Sequence, residues 1–210
     1  MKKSGHQSHP YHYSVDKNLI QHLIDWGIPI GLFLLYFNFY NFGKFNPSEM
    51  VKTSGLLAIA LLALTLVVGP AARFFPALDI LKAHRKFWGV TSFLFVVLHL
   101  SLVVIFYLKW NLMALVNPAN PKFLGLTAGV LAFMILLLVT LTSNRKALKH
   151  LDPKLWKAIQ TTSYIALILA VGHFYLMEQV NWVLVIKRLL GQITFWFAFL
   201  VIIIRLIVLF

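Results

Sequence analysis

The 210-residue sequence predicts an all-α integral membrane protein, built as a bundle of six transmembrane helices. Three observations carry that prediction. Hydrophobic residues make up 60% of the chain and charged residues only 12%. The apolar residues run in long blocks, where a soluble core would show short periodic faces. The basic residues collect between the blocks, in gaps that alternate between rich and poor along the chain.

The blocks run Leu23 to Phe42, Gly55 to Val68, Phe87 to Leu108, Phe123 to Leu141, Trp156 to Met177 and Trp182 to Ile204. A bilayer core of about 30 Å needs about 20 residues of helix, and these blocks approach or meet that length. The second is the shortest. Pro70 and Arg73 follow it closely, so its helix either begins near Met50 or runs on past Pro70. The last is interrupted by Lys187, Arg188 and Gln192, which suggests an interfacial stretch that crosses only from about Ile193. Residues 1–19 form a polar N-terminal tail ahead of a membrane domain over 20–210, and a tail so polar argues against a cleaved secretory leader.

Charge then orients the bundle. Lys2, Lys3, Lys17, Arg73, Lys82, Arg85, Lys86, Arg145, Lys146, Lys149, Lys154, Lys157 and Arg205 fall on one side, thirteen in all. Lys44, Lys52, Lys109, Lys122, Lys187 and Arg188 fall on the other, six in all. The positive-inside rule places both termini in the cytoplasm of a multi-pass protein. The net charge of +13 therefore reads as topology and contact with anionic lipid, not as a nucleic-acid footprint. Cysteine is absent, which excludes disulfides, thiolate metal sites and haem attached through C-x-x-C-H.

Histidine is the informative residue. His6, His9 and His12 lie in the tail, where spacing of three could bind a metal but a solvated tail is the plainer reading. His22, His84 and His150 lie at helix ends or in basic loops, where imidazole is expected to reach water. His99 and His173 lie deep inside apolar helices. His99 is 13 residues beyond Lys86 and His173 is 16 beyond Lys157. At 1.5 Å per residue both reach about 20–24 Å from the basic edge, slightly outside the bilayer middle. Each could simply bond to a neighbouring helix. Two ionisable groups at one depth point instead to function. Zinc usually takes four ligands, and no third histidine or carboxylate is evident at that level. Haem iron needs only two axial ligands, and imidazole supplies them. Gly172 and Gly129 would leave room for a flat macrocycle, and Phe93, Phe95 and Tyr164 offer aromatic surface.

The strings VVGPAARFFP, HRKFWGVTSFLFVVLH and TSNRKALKHLDPKLWKAIQTTSYIALILAVGHFYLM resemble the ferric-reductase-like transmembrane domain, and within it the haem-binding membrane subunits of bacterial periplasmic methionine sulfoxide reductase systems. The resemblance spans roughly Asn46 to Met177, including Arg73, Gly89, Thr142, Ser143, Trp156 and Tyr164. It implies a six-helix bundle with non-covalent haem b held between helices three and five by His99 and His173. It implies an electron-transfer subunit of the bacterial inner membrane rather than a bond-making enzyme, fed by a quinol or by a flavin (FMN or a separate flavoprotein). The implied acceptor is an outer-side redox partner of the methionine sulfoxide reductase type. Arg73 and Arg85 would pair with haem propionates or with anionic groups of the donor, or serve as plain positive-inside anchors. The pattern W-x-x-L-H is broken here as WKAIQ, so Gln160 stands where a second histidine would be, His84 lacks an opposite ligand, and a single haem is expected. A ferric-reductase-like component with a separate flavoprotein, a proton-coupled transporter relaying through His99 and His173, and a structural anchor subunit are the alternatives. No internal repeat is apparent that would favour the transporter.

Overall fold

A computed structural model describes residues 17–115 and 117–209, so the N-terminal tail with His6, His9 and His12 lies outside the described residues. Six helices in it are long and apolar enough to cross a membrane. Helix α1 (Lys17–Leu35) continues into a π-helical turn, Tyr36–Tyr40. Helix α2 (Pro47–Phe74) follows, then a 3-10 segment at Pro76–Ala83. Helix α3 (Arg85–Leu102) also runs into a π-helical turn, Val103–Tyr107. Helix α4 (Phe123–Leu141) leads through the short α5 (Arg145–His150) to α6 (Pro153–Thr161) and α7 (Ser163–Glu178), which together make the fifth span. Strands β1 (Gln179–Val180) and β2 (Val183–Leu184) form a small hairpin before α8 (Leu189–Leu209).

Local chemistry explains the boundaries. Asn46 accepts a hydrogen bond from the Glu49 amide at 2.9 Å, and Pro47 opens α2 with its fixed φ. Both extensions suggested for the second block therefore occur, and α2 reaches 28 residues, or about 42 Å. It passes through Pro70, which removes the amide that Leu66 would otherwise receive. The Tyr164 hydroxyl donates to that freed Leu66 carbonyl at 2.9 Å.

The last block needs a correction at its start. Asn181 and Trp182 both have positive φ, 49° and 64°, in the two-residue turn between β1 and β2. Such a turn matches the twist of a hairpin. The stretch beginning at Trp182 is therefore strand and loop, and α8 starts at Leu189.

Helix α2 is the central post, with 72% of its apolar window buried against 17–28% in the other five spans. Its Ile59, Leu62, Ala63 and Leu66 meet Leu136 of α4, Ala166, Leu167 and Val171 of α7, and Phe195, Ala198 and Val201 of α8. The outward faces stay apolar and exposed, at Trp26, Leu94, Leu131, Ile165 and Trp196 among others, as lipid contact requires. Lipid is as apolar as leucine, so close packing rather than water exclusion must hold such helices together. Small residues provide it. Gly125 and Gly129 on α4 lie four apart and face α7, and Ser92 of α3 donates to the Ala58 carbonyl of α2 at 2.8 Å.

Candidate metal centre

Helices α2 with α3, and α4 with α7, are the two most closely packed pairs in the bundle. Each pair presents one histidine. His99 Nδ1–H donates to the Val51 carbonyl of α2 at 2.9 Å, and His173 Nδ1–H donates to the Gly125 carbonyl of α4 at 2.7 Å. A carbonyl only accepts, so the proton sits on Nδ1 in both rings and Nε2 keeps its lone pair. That is the tautomer a metal needs, oriented by its other nitrogen. The two rings face each other with centroids 6.1 Å apart and planes 82° apart. An imidazole nitrogen lies about 2 Å from a metal it binds, so two imidazoles on opposite sides of one ion would hold their centres roughly 6 Å apart.

The site is nearer one surface than depth counting along α3 and α7 suggests. Val51 is four residues into α2 and Gly125 two into α4, about 6 Å and 3 Å from the ends of those helices that lie opposite the basic loops.

Why two carbonyls already inside helices are open to a ring follows from the glycine four residues on. The carbonyl of residue i points along the axis toward residue i+4, whose side chain shields its second lone pair. Here those residues are Gly55 and Gly129. A Cβ at Gly55 would lie 3.0 Å from His99 Nδ1, and one at Gly129 would lie 2.9 Å from His173 Nδ1. The same device recurs near the basic end, where Arg85 Nε donates to the Thr65 carbonyl at 2.9 Å and a Cβ at Gly69 would lie 3.3 Å from an Arg85 Nη.

An internal repeat, unrecognised from the sequence, underlies this. A shift of 74 positions carries Val51 onto Gly125, Thr53 onto Thr127, Gly55 onto Gly129, Ala58 onto Ala132 and His99 onto His173. In both halves the bonded carbonyl and its histidine are 48 positions apart. The pattern T-[SA]-G with a histidine 44 residues later was the available signal. The threonine the halves share is bonded in only one of them. Thr53 Oγ1 donates to Asn41 Oδ1 at 2.6 Å, whereas the buried Thr127 hydroxyl has no partner among the described residues.

The remaining candidates divide. Gly129 does touch His173, but Gly172 faces open space. Phe93 stacks on Phe133 of α4, with ring centres 5.9 Å apart. Phe95 packs toward Tyr36, Tyr40 and Leu57. Tyr164 belongs to the basic end, where Arg205 lies over its ring at 4.8 Å and Arg73 and Arg85 are near neighbours. Arg73 reaches the Val208 carbonyl at 3.3 Å, and neither it nor Arg85 nor Arg205 meets a carboxylate among the described residues.

His22 and His150 are exposed as expected, but His84 is not. It is 3% exposed, bonds through Nδ1 to Asp25 of α1 at 2.8 Å, and stacks on Trp88 at 5.6 Å. The signal was Asp25, a lone carboxylate in an apolar block that a membrane helix must partner. Gln160 is also committed. Its amide donates to the Val139 carbonyl at 3.2 Å and to Thr142 Oγ1 at 3.1 Å, and it accepts from Ser143 at 3.3 Å. The repeat pairs Gln160 with the exposed Lys86, not with His84.

No group of three or more His, Cys, Asp or Glu side chains that could hold a metal occurs among the described residues. The donor set at the centre is thus two neutral imidazoles with glycine floors, in apolar surroundings. It suits an ion whose other ligands come from a macrocycle.

Comparison with known proteins agrees in kind. The family described as ferric reductase like transmembrane component matches residues 54–171. A relative from Azospira oryzae, named as the heme-binding subunit MsrQ of a protein-methionine-sulfoxide reductase, is 28% identical over 154 residues, covering 70% of this chain and 65% of its own length. Proteins of the same name from Salmonella paratyphi B and Salmonella newport are each 31% identical over 121 residues, covering 58% of this chain and 60% of theirs. The chain thus spans about three-fifths to two-thirds of the length of these relatives.

Proposed function

The chain belongs to the ferric reductase-like transmembrane component family, and from that premise we propose that it is a transmembrane b-type cytochrome passing electrons from a quinol or flavin donor to an outer-side redox partner. The observation that carries the reading is the facing pair His99 and His173, each with its proton fixed on Nδ1 and its centroid 6.1 Å from the other. The relatives named as haem-binding subunits support haem as the group held there, and the partner is by the same likeness a methionine sulfoxide reductase-type catalytic subunit. Haem, when bound, supplies one-electron chemistry. The attachment is non-covalent, since the chain has no cysteine.

The residues divide the labour. His99 and His173 would present Nε2 to the iron, while the carbonyls of Val51 and Gly125 fix both rings. One haem per chain is the proposed content, because Gln160 and Lys86 occupy the repeat-related inner positions and His84 is held by Asp25. Arg73, Arg85 and Arg205 form a positive cluster at the basic end with no carboxylate partner among the described residues, suited to an anionic donor; His99 lies 14 residues from Arg85 along α3, about 21 Å, so propionates of a haem held there would not reach this cluster. By the positive-inside rule that end is cytoplasmic in the bacterial inner membrane. A proton relay through the two histidines is disfavoured, because each Nδ1–H is already engaged by main chain.

The visible spectrum and haem content of the purified chain test this. His99→Ala and His173→Ala should each remove the haem or convert a six-coordinate low-spin centre to a five-coordinate high-spin one, while His22→Ala and His150→Ala change nothing. Full low-spin haem in the His99→Ala, His173→Ala double variant would overturn the assignment, and two haems per chain would refute the single site.

A further inference from the structure

We propose that Gly55 and Gly129 are the positioning residues of the histidine pair, one for each half of the repeat, and that they act by leaving open the carbonyl four residues earlier. This rests on the reading of His99 and His173 as haem ligands. The argument is steric and electronic together. Each ring lies on a glycine at a distance where a Cβ would meet Nδ1 at about the closest approach real Cβ atoms make, 3.0 Å and 2.9 Å. Adding that methyl pushes the ring off its floor and covers the acceptor that holds the Nδ1 proton. The proton is then no longer confined to Nδ1, and the lone pair on Nε2 is no longer aimed at the facing ring. Orienting partners of metal-bound histidines commonly matter about 10- to 100-fold in metal affinity.

Three features of the chain make the inference specific. The relation occurs twice under one 74-residue shift, so the two glycines should behave alike. Gly69 builds the same opening for Arg85 and serves as a control for loss of a glycine on α2 that does not serve a histidine. Gly31, on α1, faces open space, so a methyl there meets nothing.

The experiment uses the full chain, purified with its native haem, as wild type and as Gly55→Ala, Gly129→Ala, Gly69→Ala, Gly31→Ala and His99→Ala. The readouts are haem per chain, the low-spin optical spectrum, the ferric electron paramagnetic resonance spectrum and the midpoint potential. Gly55→Ala and Gly129→Ala should retain haem about tenfold less tightly, shift the potential, gain high-spin signal and recover low-spin character on adding free imidazole. Gly31→Ala and Gly69→Ala should keep the wild-type spectrum. Folded Gly55→Ala and Gly129→Ala proteins with wild-type spectrum and potential, beside a His99→Ala protein that has lost the low-spin form, would refute the positioning role and leave the ligand assignment standing. A wild-type chain that takes up no haem would sink both. Should the two alanine variants fail to fold, nitrogen-15 resonance of the wild-type imidazoles decides instead: Nδ1–H locked in both rings is expected, and exchanging or Nε2–H tautomers would overturn the proposal.

Discussion

Replacing His84 or Asp25 by leucine should cost far more than replacing both. The two side chains are 4% and 12% exposed, bonded at 2.8 Å, and sit where α1 crosses the start of α3. His84→Leu leaves a carboxylate facing hydrocarbon, and Asp25→Leu leaves the imidazole without its acceptor. Breaking a buried pair by removing one member costs about 3–5 kcal/mol, whereas replacing both members by apolar residues of similar volume is about neutral or stabilising. With about 2–4 °C of melting temperature per kcal/mol for a chain of this size, either single change should lower the midpoint by roughly 10 °C. The double variant should recover most of that loss, a coupling of at least about 2 kcal/mol. Thermal unfolding of the purified chain in detergent, followed by tryptophan fluorescence, measures it, and Trp88 stacked on His84 reports directly. Single costs that simply add in the double variant would refute the reasoning, since the pair would then contribute nothing as a pair.

Other outcomes follow from the same geometry. Thr53→Val breaks the buried bond to Asn41 and should destabilise by about 1 kcal/mol, whereas Thr127→Val removes a buried hydroxyl with no described partner and should be neutral or stabilising, as unfolding midpoints would show. Arg188 donates to both Glu49 carboxylate oxygens, and that contact raises its pKa above the ordinary guanidinium value. A raised folded pKa contributes stability that is complete below the unfolded value and lost only as pH climbs through the folded one. Arg188→Gln should therefore lower thermal stability by an amount that does not change between about pH 7 and pH 10, and a loss that shrinks steadily across that range would contradict this. Reporter domains fused after Lys149 should read cytoplasmic and those fused after Asn117 external, by activity of a compartment-specific enzyme; the inverse would reverse the proposed direction of electron flow while leaving the histidine pair intact.

What could be read without coordinates was what depends on composition along one helix. The six spans were legible because hydrocarbon demands long apolar runs, and His99 and His173 because an imidazole is conspicuous inside one. The ends were less so: Asn46 with Pro47 extends α2 beyond its apolar stretch, and two left-handed residues put Trp182, Val183 and Leu184 in a hairpin where the apolar block suggested the start of a span. His84 was misread because its partner lies 59 positions away on another helix. The role of Gly55 and Gly129 was hidden for a related reason. Glycines in membrane helices mark close approach in general, and only the neighbouring helix reveals that what approaches is the ring of a histidine. The repeat was written in the sequence, but between two strings of mostly Leu, Ala and Val a few matching letters carry little weight.

The partner that orients each histidine is a piece of main chain, and this changes how the site can decay. An orienting aspartate or serine can be lost by any mutation of its own codon. A peptide carbonyl is present whatever residue occupies position 51 or 125, so drift at those positions cannot delete the acceptor, though bulk at 125 would crowd Met177. The fragility moves four residues along, to codons where almost every change adds at least a methyl. Sequence variation around the centre should therefore be limited at Val51 only by packing and narrow at Gly55 and Gly129, an inheritance pattern set by which atoms of a helix the genetic code can reach.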